Sequence, residues 1–345
     1  MIKTALCSFG MSGWVFHAPF IDAHPSFELY AVAERSKKTA VEKYPGIKSY
    51  DSVEEMLQDE SIELVIVNTP NYTHFDFAKK ALLAGKHVVV EKPFTINVAE
   101  AGELITLAQQ QNKKIAVYHN RRWDSDFKTV KQVLDEKLLG DVIEAEFHFD
   151  RFSEVLSVKQ HKETPGPGAG NLYDLGSHLI DQALQLFGLP KAVFADATAM
   201  RPISSVDDYF ELLLFYPRHR VRLHSSYQVR EALPAYIIHG SKGSFIKPRG
   251  DVQEADLQGF KPLTDADWGL EPATAQGLLH TEKDNTIIKQ LIPSLTGNYL
   301  AFYEGLSNAL LNDGPLPVTA EEGRNVIRII EAAYQSVQQK AIIHI

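Results

Sequence analysis

A glycine-containing loop follows the first apolar run of the chain. Residues 7–13 read CSFGMSG, which matches the G-x-G-x-x-G pattern at Gly10 and Gly13 and places Ser8 at the first glycine position. In this pattern the amides that open the next helix face a pyrophosphate, the second glycine permits its close approach, and the third lets helix and strand pack. A tight turn without a nucleotide is the alternative. Because several strand–helix units follow, the motif favours a dinucleotide site, with Ser8, Gly10, Ser12 and Gly13 as cofactor contacts.

A charged turn follows the second predicted strand. Glu34 lies 21 residues after Gly13, where the acidic residue of a dinucleotide fold meets the adenosine ribose, and alone it would favour NAD. Arg35, Ser36 and Lys37 offer a guanidinium, a hydroxyl and an ammonium where the 2′-phosphate of NADP would lie. A solvated charged turn is the alternative. We therefore expect NADP, with Glu34, Arg35 and Ser36 as contacts, and keep NAD open because a carboxylate would repel the 2′-phosphate.

Two further segments lie at the ends of the third and fourth predicted strands. Residues 68–71 read NTPN and residues 91–93 read EKP, and ligands of open α/β sheets bind at such carboxyl ends. Pro93 disfavours α geometry at Lys92, so we expect an extended turn that directs this cation to the crevice. There it could stabilise an alkoxide as a hydroxyl loses hydride, although a surface lysine is the alternative. The expected cofactor contacts are Thr69, Pro70, Asn71, His74, Glu91 and Lys92.

An aspartate and a histidine share a predicted helix over residues 172–187, which follows a glycine-rich loop and ends before Gly188. Asp174 and His178 are four residues apart and therefore lie on neighbouring positions of one face. An aspartate that orients an imidazole and stabilises its protonated form makes a general base with a pKa near neutral pH. An ordinary surface pair is the alternative for these two residues alone.

The elements of the first 120 residues alternate short apolar runs with segments of helical period, which is typical of βαβ units and a parallel sheet. Gly85 is expected to end one of the helices. The predicted strands are 2–7, 27–33, 64–68, 87–91 and 114–118, and the predicted helices are 53–58, 73–84 and 98–112. The first half is therefore predicted as a doubly wound α/β domain.

The second half changes pattern. After a predicted helix over 124–137, polar and apolar positions alternate over 142–152, which is typical of an antiparallel sheet with one polar face. Further strands are predicted at 192–200, 209–216, 220–229 and 236–239, with a turn at 216–219, and helices at 299–311 and 320–339. Residues 270–293 are polar and are expected to be irregular. This half is predicted as an α/β domain with an open, mainly antiparallel sheet.

Composition excludes several classes of protein. The 345 residues, 44% hydrophobic and 23% charged, are typical of a globular chain of about two domains. A net charge of −9 argues against a nucleic-acid partner. The single cysteine, Cys7, and the absence of HExxH or paired His and Cys ligands argue against a dedicated metal site. Without a leader-like start or a long apolar run, we expect a cytoplasmic protein with no membrane partner.

Taken together, these features resemble the Gfo/Idh/MocA oxidoreductase family along the whole chain. The most specific marks are EKP at 91–93, YHNRRWD at 118–124 and YDLGSH at 173–178. Within the family the chain is most similar to the NADP-dependent scyllo-inositol dehydrogenases, also at PVTAEEG over 317–323. The chain departs from the family pattern at residue 8, where a serine replaces the usual first glycine. The Ser8 Cβ could shift the turn, or the Ser8 hydroxyl could bond the pyrophosphate.

The resemblance implies hydride transfer between NADP and a secondary alcohol of a cyclic polyol or sugar, with scyllo-inositol oxidised to scyllo-inosose as the first expectation. It places catalysis on Lys92, Asp174 and His178. His178 would accept the hydroxyl proton, Lys92 would stabilise the forming oxyanion, and hydride would pass to C4 of the nicotinamide. Asp174 would orient His178 or bond the substrate. Whether Lys92 or His178 takes the proton stays open.

Further implications concern substrate contacts and organisation. Substrate contacts are expected from Asn120, Arg121, Arg151, Tyr173, Asp174 and His178, although the first three could instead make hydrogen bonds at a domain junction. The family implies a Rossmann domain over 1–122 and a substrate-binding and oligomerisation domain over 123–345, whose C-terminal helices, about 298–340, pack back toward the Rossmann domain. A homodimer or higher homo-oligomer through the second sheet is expected.

Other functions use the same fold. An NAD-dependent sugar dehydrogenase keeps the chemistry and changes the cofactor, whereas a transient-redox glycoside hydrolase oxidises and re-reduces one sugar without net NADPH production. A non-catalytic NADP-sensing regulatory protein is a more remote alternative. That last class predicts loss of the catalytic residues, yet Lys92, Asp174 and His178 are all present.

Overall fold

The computed structural model describes residues 1–157 and 160–345, and the chain forms two compact units. Unit 1 consists of Met1–Asn120, Glu254–Asp265 and Tyr299–Arg324. Unit 2 consists of Arg121–Gln253, Ala266–Asn298 and Asn325–Ile345. The chain therefore contributes to unit 1 three times, and the short segment Glu254–Asp265 is a part of it that the sequence analysis did not predict.

Unit 1 contains a six-stranded parallel sheet in the order β3-β2-β1-β4-β5-β6. Its strands are β1 (Ile2–Leu6), β2 (Phe27–Ala33), β3 (Lys48–Tyr50), β4 (Leu64–Val67), β5 (His87–Glu91) and β6 (Ile115–Tyr118). Every residue of β4 is buried, as expected for a strand covered on both faces. The predicted doubly wound parallel sheet is confirmed, and the three-residue β3 is an addition to it.

Short helices connect the strands of unit 1. They are α1 (Ala18–Ala23), α2 (Thr39–Lys43), α3 (Val53–Leu57), α4 (His74–Leu83) and α5 (Val98–Gln110), with 3-10 turns at Asn71–Thr73 and Asn120–Trp123, the latter continuing into unit 2. The Asn97 side chain caps α5 by accepting the Glu100 N–H at 2.8 Å. Gly85 follows α4 with a φ of 73°, a left-handed conformation that favours glycine at a helix end. Helix α10 (Leu300–Asn312) also belongs to unit 1.

Unit 2 contains a nine-stranded sheet in the order β14-β13-β12-β11-β7-β10-β9-β8-β15. Its strands are β7 (Val142–His148), β8 (Ala192–Thr198), β9 (Tyr209–Phe215), β10 (Arg220–Ser226), β11 (Tyr236–Gly240), β12 (Gly243–Lys247), β13 (Gly277–Lys283), β14 (Thr286–Ile292) and β15 (Ile343–His344). The pair β7–β10 is parallel and the others are antiparallel. The predicted open, mainly antiparallel sheet is confirmed, as is the turn at 216–219, where Tyr216 N–H donates to His219 O.

The expectation of irregular structure over 270–293 is wrong. This region holds β13 and β14, which pair as a hairpin with Lys283 opposite Thr286. Its two-residue turn consists of Asp284 and Asn285, with φ angles of 50° and 60°, as in the type I′ turns that favour hairpins. Strand β14 is mostly exposed on both faces, so it lacks the apolar alternation on which the prediction depended.

Unit 2 contains one helix before its first strand and further helices between the strands. They are α6 (Ser125–Asp135), α7 (Gln160–Glu163), α8 (Ser177–Phe187), α9 (Gln253–Gln258) and α11 (Ala320–Gln339), and parts of α9 and α11 belong to unit 1. Phe147 of β7 packs on Phe187 of α8 and on Tyr236 of β11, with ring centroids 6.3 and 5.1 Å apart. Within the described residues, no helix is both long and apolar enough to cross a membrane.

Candidate active-site residues

The two loop glycines of unit 1 have different surroundings. A Cβ on Gly13 would lie 2.4 Å from the Ser8 carbonyl oxygen and 3.0 Å from Asn68 Nδ2, so the backbone packs too closely there for any side chain. A Cβ on Gly10 would meet nothing within 4 Å. Gly13 therefore allows close packing after β1, whereas Gly10 leaves an open approach to the loop, which suits a dinucleotide phosphate.

Ser8 is bound to the end of β4. Its N–H donates to Asn68 Oδ1 at 3.0 Å, its hydroxyl donates to Asn68 O at 2.9 Å, and Asn68 Nδ2 donates to Ser8 O at 2.9 Å. Because the hydroxyl hydrogen is donated to a protein carbonyl, it is not available to a pyrophosphate in this arrangement. A direct bond from the Ser8 hydroxyl to the pyrophosphate would therefore require the bond to Asn68 O to break. Ser8 instead holds the loop in place.

Glu91, at the end of β5, fixes the first helical turn after the loop. That turn, Ser12–His17, is π-helical. Glu91 Oε1 accepts the Ser12 hydroxyl at 2.5 Å and lies 3.0 Å from His17 Nε2, and His17 Nδ1 lies 2.7 Å from the Tyr303 hydroxyl. Burial opposes ionisation of Glu91, but His17, the Ser12 hydroxyl and the Lys92 charge outweigh it and lower its pKa to about 2. Glu91 is therefore a carboxylate that positions the loop.

Glu34 does not extend freely from the end of β2. Its side chain is buried, with the residue 7% exposed, and Oε1 accepts the N–H groups of Thr39 and Ala40 at 2.9 and 3.2 Å. Oε2 accepts the Ser49 hydroxyl at 3.2 Å. The carboxylate thus serves the first N–H groups of α2, which otherwise lack partners. The ribose contact predicted for Glu34 would have to compete with these bonds.

The rest of the charged turn is exposed. Arg35, Ser36 and Lys37 all lie at the surface, and the Arg35 guanidinium has no hydrogen bond or ion pair to the part of the chain that the structure describes. Lys38 differs, because its ammonium binds Glu34 O at 2.8 Å and Asp51 Oδ1 at 2.7 Å. The turn therefore offers a guanidinium and a hydroxyl to an anion while the neighbouring carboxylate is occupied.

His74 joins the turns that follow β4 and β5. Its Nδ1 lies 2.9 Å from Pro93 O and its Nε2 lies 2.9 Å from Thr69 O, and burial lowers its pKa below the ordinary value. Both nitrogens thus face protein carbonyls, and His74 links the two turns. Thr69, Pro70 and Asn71 form the first of the turns, closed by the Thr73 N–H to Pro70 O.

Lys92 lies at the second of these turns. Its N–H donates to Glu91 Oε2 at 3.1 Å, and the Lys92–Pro93 peptide bond is cis. The side chain is half-buried. The turn that carries the predicted catalytic cation is thus fixed on one side by Glu91 and on the other by the His74 contact to Pro93.

Asp174 and His178 do not lie on one regular α-helix. The helical run predicted over 172–187 is present without a break, but its first turn, Leu172–Gly176, is π-helical and α8 begins at Ser177. A π turn inserts a residue relative to α geometry and occurs often at functional sites. A Cβ on Gly176 would lie 2.7 Å from Leu172 Cδ1, so glycine permits this tight turn. His178 is buried, 5% exposed, in the first turn of α8.

Asp174 has a cationic neighbour that the sequence analysis missed. Lys162 Nζ lies 2.6 Å from Asp174 Oδ1. Burial is the main cause that raises the pKa of the Tyr227 hydroxyl. The nearby Asp174 charge raises this pKa further, and the nearby Arg151 charge lowers it. These four polar side chains therefore belong to one region of unit 2. Lys162 lies on the four-residue helix α7 and belongs to no sequence motif, so the sequence did not indicate this contact.

Guanidinium groups surround the ring of Phe149, just beyond β7. The Cζ atoms of Arg121, Arg151 and Arg249 lie 5.1, 5.2 and 3.9 Å from the ring centroid, as in cation–π contacts. Arg249 Nη2 also donates to His148 O at 3.0 Å. The structure thus brings together two predicted substrate contacts, Arg121 and Arg151, and adds Arg249, which no local pattern indicated.

Other residues of the predicted substrate set have packing roles. Arg121 Nη1 donates to Asp124 Oδ2 at 3.2 Å, and its neighbour Arg122 binds Asp181 of α8 through two bonds of 2.9 and 2.7 Å. The ring of Tyr173 stacks on Tyr334, with centroids 5.7 Å apart. Asn120 is buried in unit 1, 6% exposed. The run at 118–124 thus contributes to fold as well as to the candidate site.

Family models match both halves of the chain. The model described as the NAD-binding Rossmann fold of the oxidoreductase family matches residues 2–119, and the model for its C-terminal alpha/beta domain matches residues 131–345. The chain belongs to the Gfo/Idh/MocA family. As a member of this family it is an oxidoreductase that binds a nicotinamide cofactor in its Rossmann domain.

Relatives in the Gfo/Idh/MocA family match the whole chain. The oxidoreductase YdgJ of Escherichia coli is 38% identical over 99% of this chain and 97% of its own. The scyllo-inositol 2-dehydrogenase (NADP(+)) IolW of Bacillus subtilis is 38% identical over 99% of this chain and 95% of its own. A crystal structure of a Bacillus cereus oxidoreductase has a TM-score of 0.91 at 31% identity and covers 100% of this chain and 99% of its own.

Proposed function

We propose that this oxidoreductase transfers hydride between NADP and a secondary alcohol of a cyclic polyol or sugar, with scyllo-inositol as the first substrate to test. The observation that carries the choice of NADP is the charged turn after β2. There Glu34 is bonded to the start of α2, while Arg35 and Ser36 are exposed. The similarity to IolW, which is NADP-dependent by name, supports the same cofactor.

The residues of unit 1 fit this cofactor. The open approach at Gly10 suits a pyrophosphate, and the Arg35 guanidinium suits the bidentate contact that a 2′-phosphate accepts. The Glu34 carboxylate, which alone would favour the 2′-hydroxyl of NAD, is occupied by the N–H groups of Thr39 and Ala40. When bound, NADP supplies the acceptor for the hydride.

Three side chains would act on the reacting hydroxyl. Lys92 stabilises the negative charge that develops on its oxygen. His178 accepts its proton, as a positioned imidazole does in general base catalysis. Asp174 binds a substrate hydroxyl or orients His178, and the ion pair with Lys162 holds its carboxylate in place. Around Phe149, the guanidinium groups of Arg151 and Arg249 would donate hydrogen bonds to further hydroxyls.

We also propose that two copies of the chain associate through the sheet of unit 2. Its strands carry exposed apolar side chains on their solvent side, among them Ile143, Phe194 and Leu291, which are 52%, 41% and 59% exposed. Covering such side chains is the usual origin of dimer interfaces. Sedimentation at micromolar concentration tests this proposal, and a monomer there contradicts it.

A dehydrogenase assay tests the proposed function. The purified chain is mixed with NADP or NAD and with scyllo-inositol, myo-inositol or an aldose, and the reduced nicotinamide is followed by its absorbance. We expect reduction of NADP with at least one cyclic polyol. Binding of NADP without oxidation of any of these substrates would contradict the proposed substrate class but not the cofactor.

A further inference from the structure

Two histidines and an aspartate of unit 2 form a compact cluster where β7 lies beside β10. One potential ligand atom from each of His148, Asp150 and His224 lies within 4.8 Å of the others. His148 is the last residue of β7, and Asp150 follows two residues later. His224 of β10 is opposite His148 in the parallel pairing with β7. The sheet thus joins residues that show no metal-binding motif in the sequence.

The distances within the cluster are close to those of a coordination sphere. His224 Nδ1 lies 2.9 Å from Asp150 Oδ1, and His148 Nδ1 lies 3.5 Å from Asp150 Oδ2. Ligands at the usual metal–ligand distances of a tetrahedral zinc site are about 3.3 Å from each other. The shorter separation is a hydrogen-bond contact between His224 and Asp150, and the two separations lie on either side of this value. Small side-chain rotations would therefore admit an ion of that size.

His148 provides a further observation. The residue is 6% exposed, and its buried Nδ1 faces Asp150 Oδ2 at 3.5 Å, at the long end of the hydrogen-bond range. Its other nitrogen, Nε2, lies 3.3 Å from Glu146 Oε2. A carboxylate on the far nitrogen of an imidazole fixes the ring and its tautomer in many metal sites. Glu146 would thus leave the Nδ1 lone pair directed at the cluster.

The aspartate of the cluster is also fixed before any ion binds. The Asp150 side chain is 2% exposed, and Oδ1 accepts the Ser226 N–H at 3.1 Å. Nearby, Glu146 and Glu211 flank Arg222, which lies 3.1 Å from Glu211 Oε1 and also pairs with Glu146. Carboxylates therefore outweigh the guanidinium around the cluster, and the local charge favours a cation.

We propose that His148, Asp150 and His224 form a binding site for a divalent transition-metal ion, with Zn²⁺ or Co²⁺ as suitable ions. Two imidazole nitrogens and one carboxylate are ligands that such ions accept, and a fourth tetrahedral position remains for water. The ion would link β7 to β10. The three ligands are not among the side chains assigned to the proposed dehydrogenase chemistry, although His148 and Asp150 adjoin Phe149 and Arg151 in the sequence, so each proposal has its own test.

Cobalt titration tests the site. The full-length chain, without a histidine tag and freed of metal with a chelator, is titrated with CoCl₂ while the visible d–d absorption is recorded. We expect one saturable equivalent of Co²⁺ with the absorption of a nitrogen- and oxygen-ligated ion. The variants His224→Ala and Asp150→Asn should bind Co²⁺ at least tenfold more weakly.

The control is His280→Ala, which removes an exposed histidine of β13 in the same sheet and should bind Co²⁺ like the unaltered chain. Circular dichroism verifies that each variant is folded. If Asp150→Asn does not fold, His224→Ala carries the test, because its side chain is part-exposed at the edge of the cluster. Failure of the unaltered chain to bind one equivalent, or equal binding by His224→Ala, would overturn the proposal.

Zinc-dependent thermal unfolding provides a second measurement. An ion that binds the folded chain raises its melting temperature, and the rise grows with the ratio of the free ion concentration to its Kd. We expect ZnCl₂ to raise the Tm of the unaltered chain and of His280→Ala but not that of His224→Ala. The same rise in all three proteins would mean that zinc binds elsewhere and would contradict the site.

Discussion

The carboxylate of Glu34 accepts the backbone N–H of Thr39 at 2.9 Å. This bond directs the acidic group at the end of β2 into the start of α2, and the Ala40 N–H and the Ser49 hydroxyl hold it there. The next residue, Arg35, is left exposed. A residue type that normally indicates NAD thus has a structural role beside a cation suited to NADP.

Arg35→Ala should therefore change the choice of cofactor. Charge-assisted hydrogen bonds contribute about 1.5–3 kcal/mol, so we expect the KM for NADP to rise about tenfold to hundredfold and the KM for NAD to stay nearly constant. Steady-state kinetics with both cofactors measure this. Lys38→Ala is the matched control, because its ammonium is already bound to Asp51 and should not contact the cofactor. An equal rise for both cofactors in Arg35→Ala would contradict the 2′-phosphate contact.

Gly13→Ala should mainly lower the stability of the fold, whereas Gly10→Ala should mainly weaken NADP binding. The Gly13 Cβ would lie 2.4 Å from a backbone oxygen, so Gly13→Ala should lower the free energy of unfolding by about 1–3 kcal/mol, as overpacking does. The Gly10 Cβ would meet nothing, so Gly10→Ala should change stability by less than about 1 kcal/mol yet weaken NADP binding. Denaturant unfolding and cofactor titration measure both. Unimpaired NADP binding by Gly10→Ala would show that the cofactor does not approach this face.

Lys92→Ala and His178→Ala should each reduce turnover by about two to four powers of ten, the usual contribution of positioned electrostatic or acid–base groups. Cofactor affinity should change far less than turnover, because both variants keep the loop after β1 and the charged turn after β2, and Lys92→Ala removes only one of several expected cofactor contacts. Turnover is measured with saturating cofactor, and NADP affinity by fluorescence titration of the same samples. If either variant keeps full turnover, the residue replaced in it has no catalytic role.

Glu91→Gln should alter the pH dependence of stability. The folded-state pKa of Glu91 is about 2, below its ordinary value of 4.5, so the ionised side chain stabilises the fold above pH 4.5 and loses this contribution as pH falls toward 2. At about 1.4 kcal/mol per pKa unit, the contribution at neutral pH is about 3 kcal/mol. Unfolding free energies of both proteins are compared across this range. If the difference in unfolding free energy between the two proteins stayed constant down to the lowest pH, it would contradict the hydrogen-bond network of Glu91 with Ser12 and His17.

The parallel sheet of unit 1 was predictable because its strands are buried on both faces and read as apolar runs. Strand β14 was not, because its side chains are mostly exposed and its turn depends on the left-handed Asp284 and Asn285. The sequence indicated that the charged turn could bind an anion. It could not show that the Glu34 carboxylate points to the start of α2, because this orientation depends on the hydrogen bond from the Thr39 N–H.

Contacts between distant segments explain the other differences between sequence and structure. Lys162 meets Asp174 through a short helix without a motif. Arg249 joins Arg151 around Phe149 although 98 residues separate them. A pattern within one segment cannot show such pairs, because their proximity depends on how the strands of the sheet are ordered.

The rate of nicotinamide reduction with scyllo-inositol, compared between NADP and NAD on the same enzyme sample, tests the proposed function most directly. We predict that NADP is reduced with the higher kcat/KM and that Arg35→Ala removes most of this preference. Preferential reduction of NAD, or tight NADP binding with no oxidation of any cyclic polyol, would contradict it.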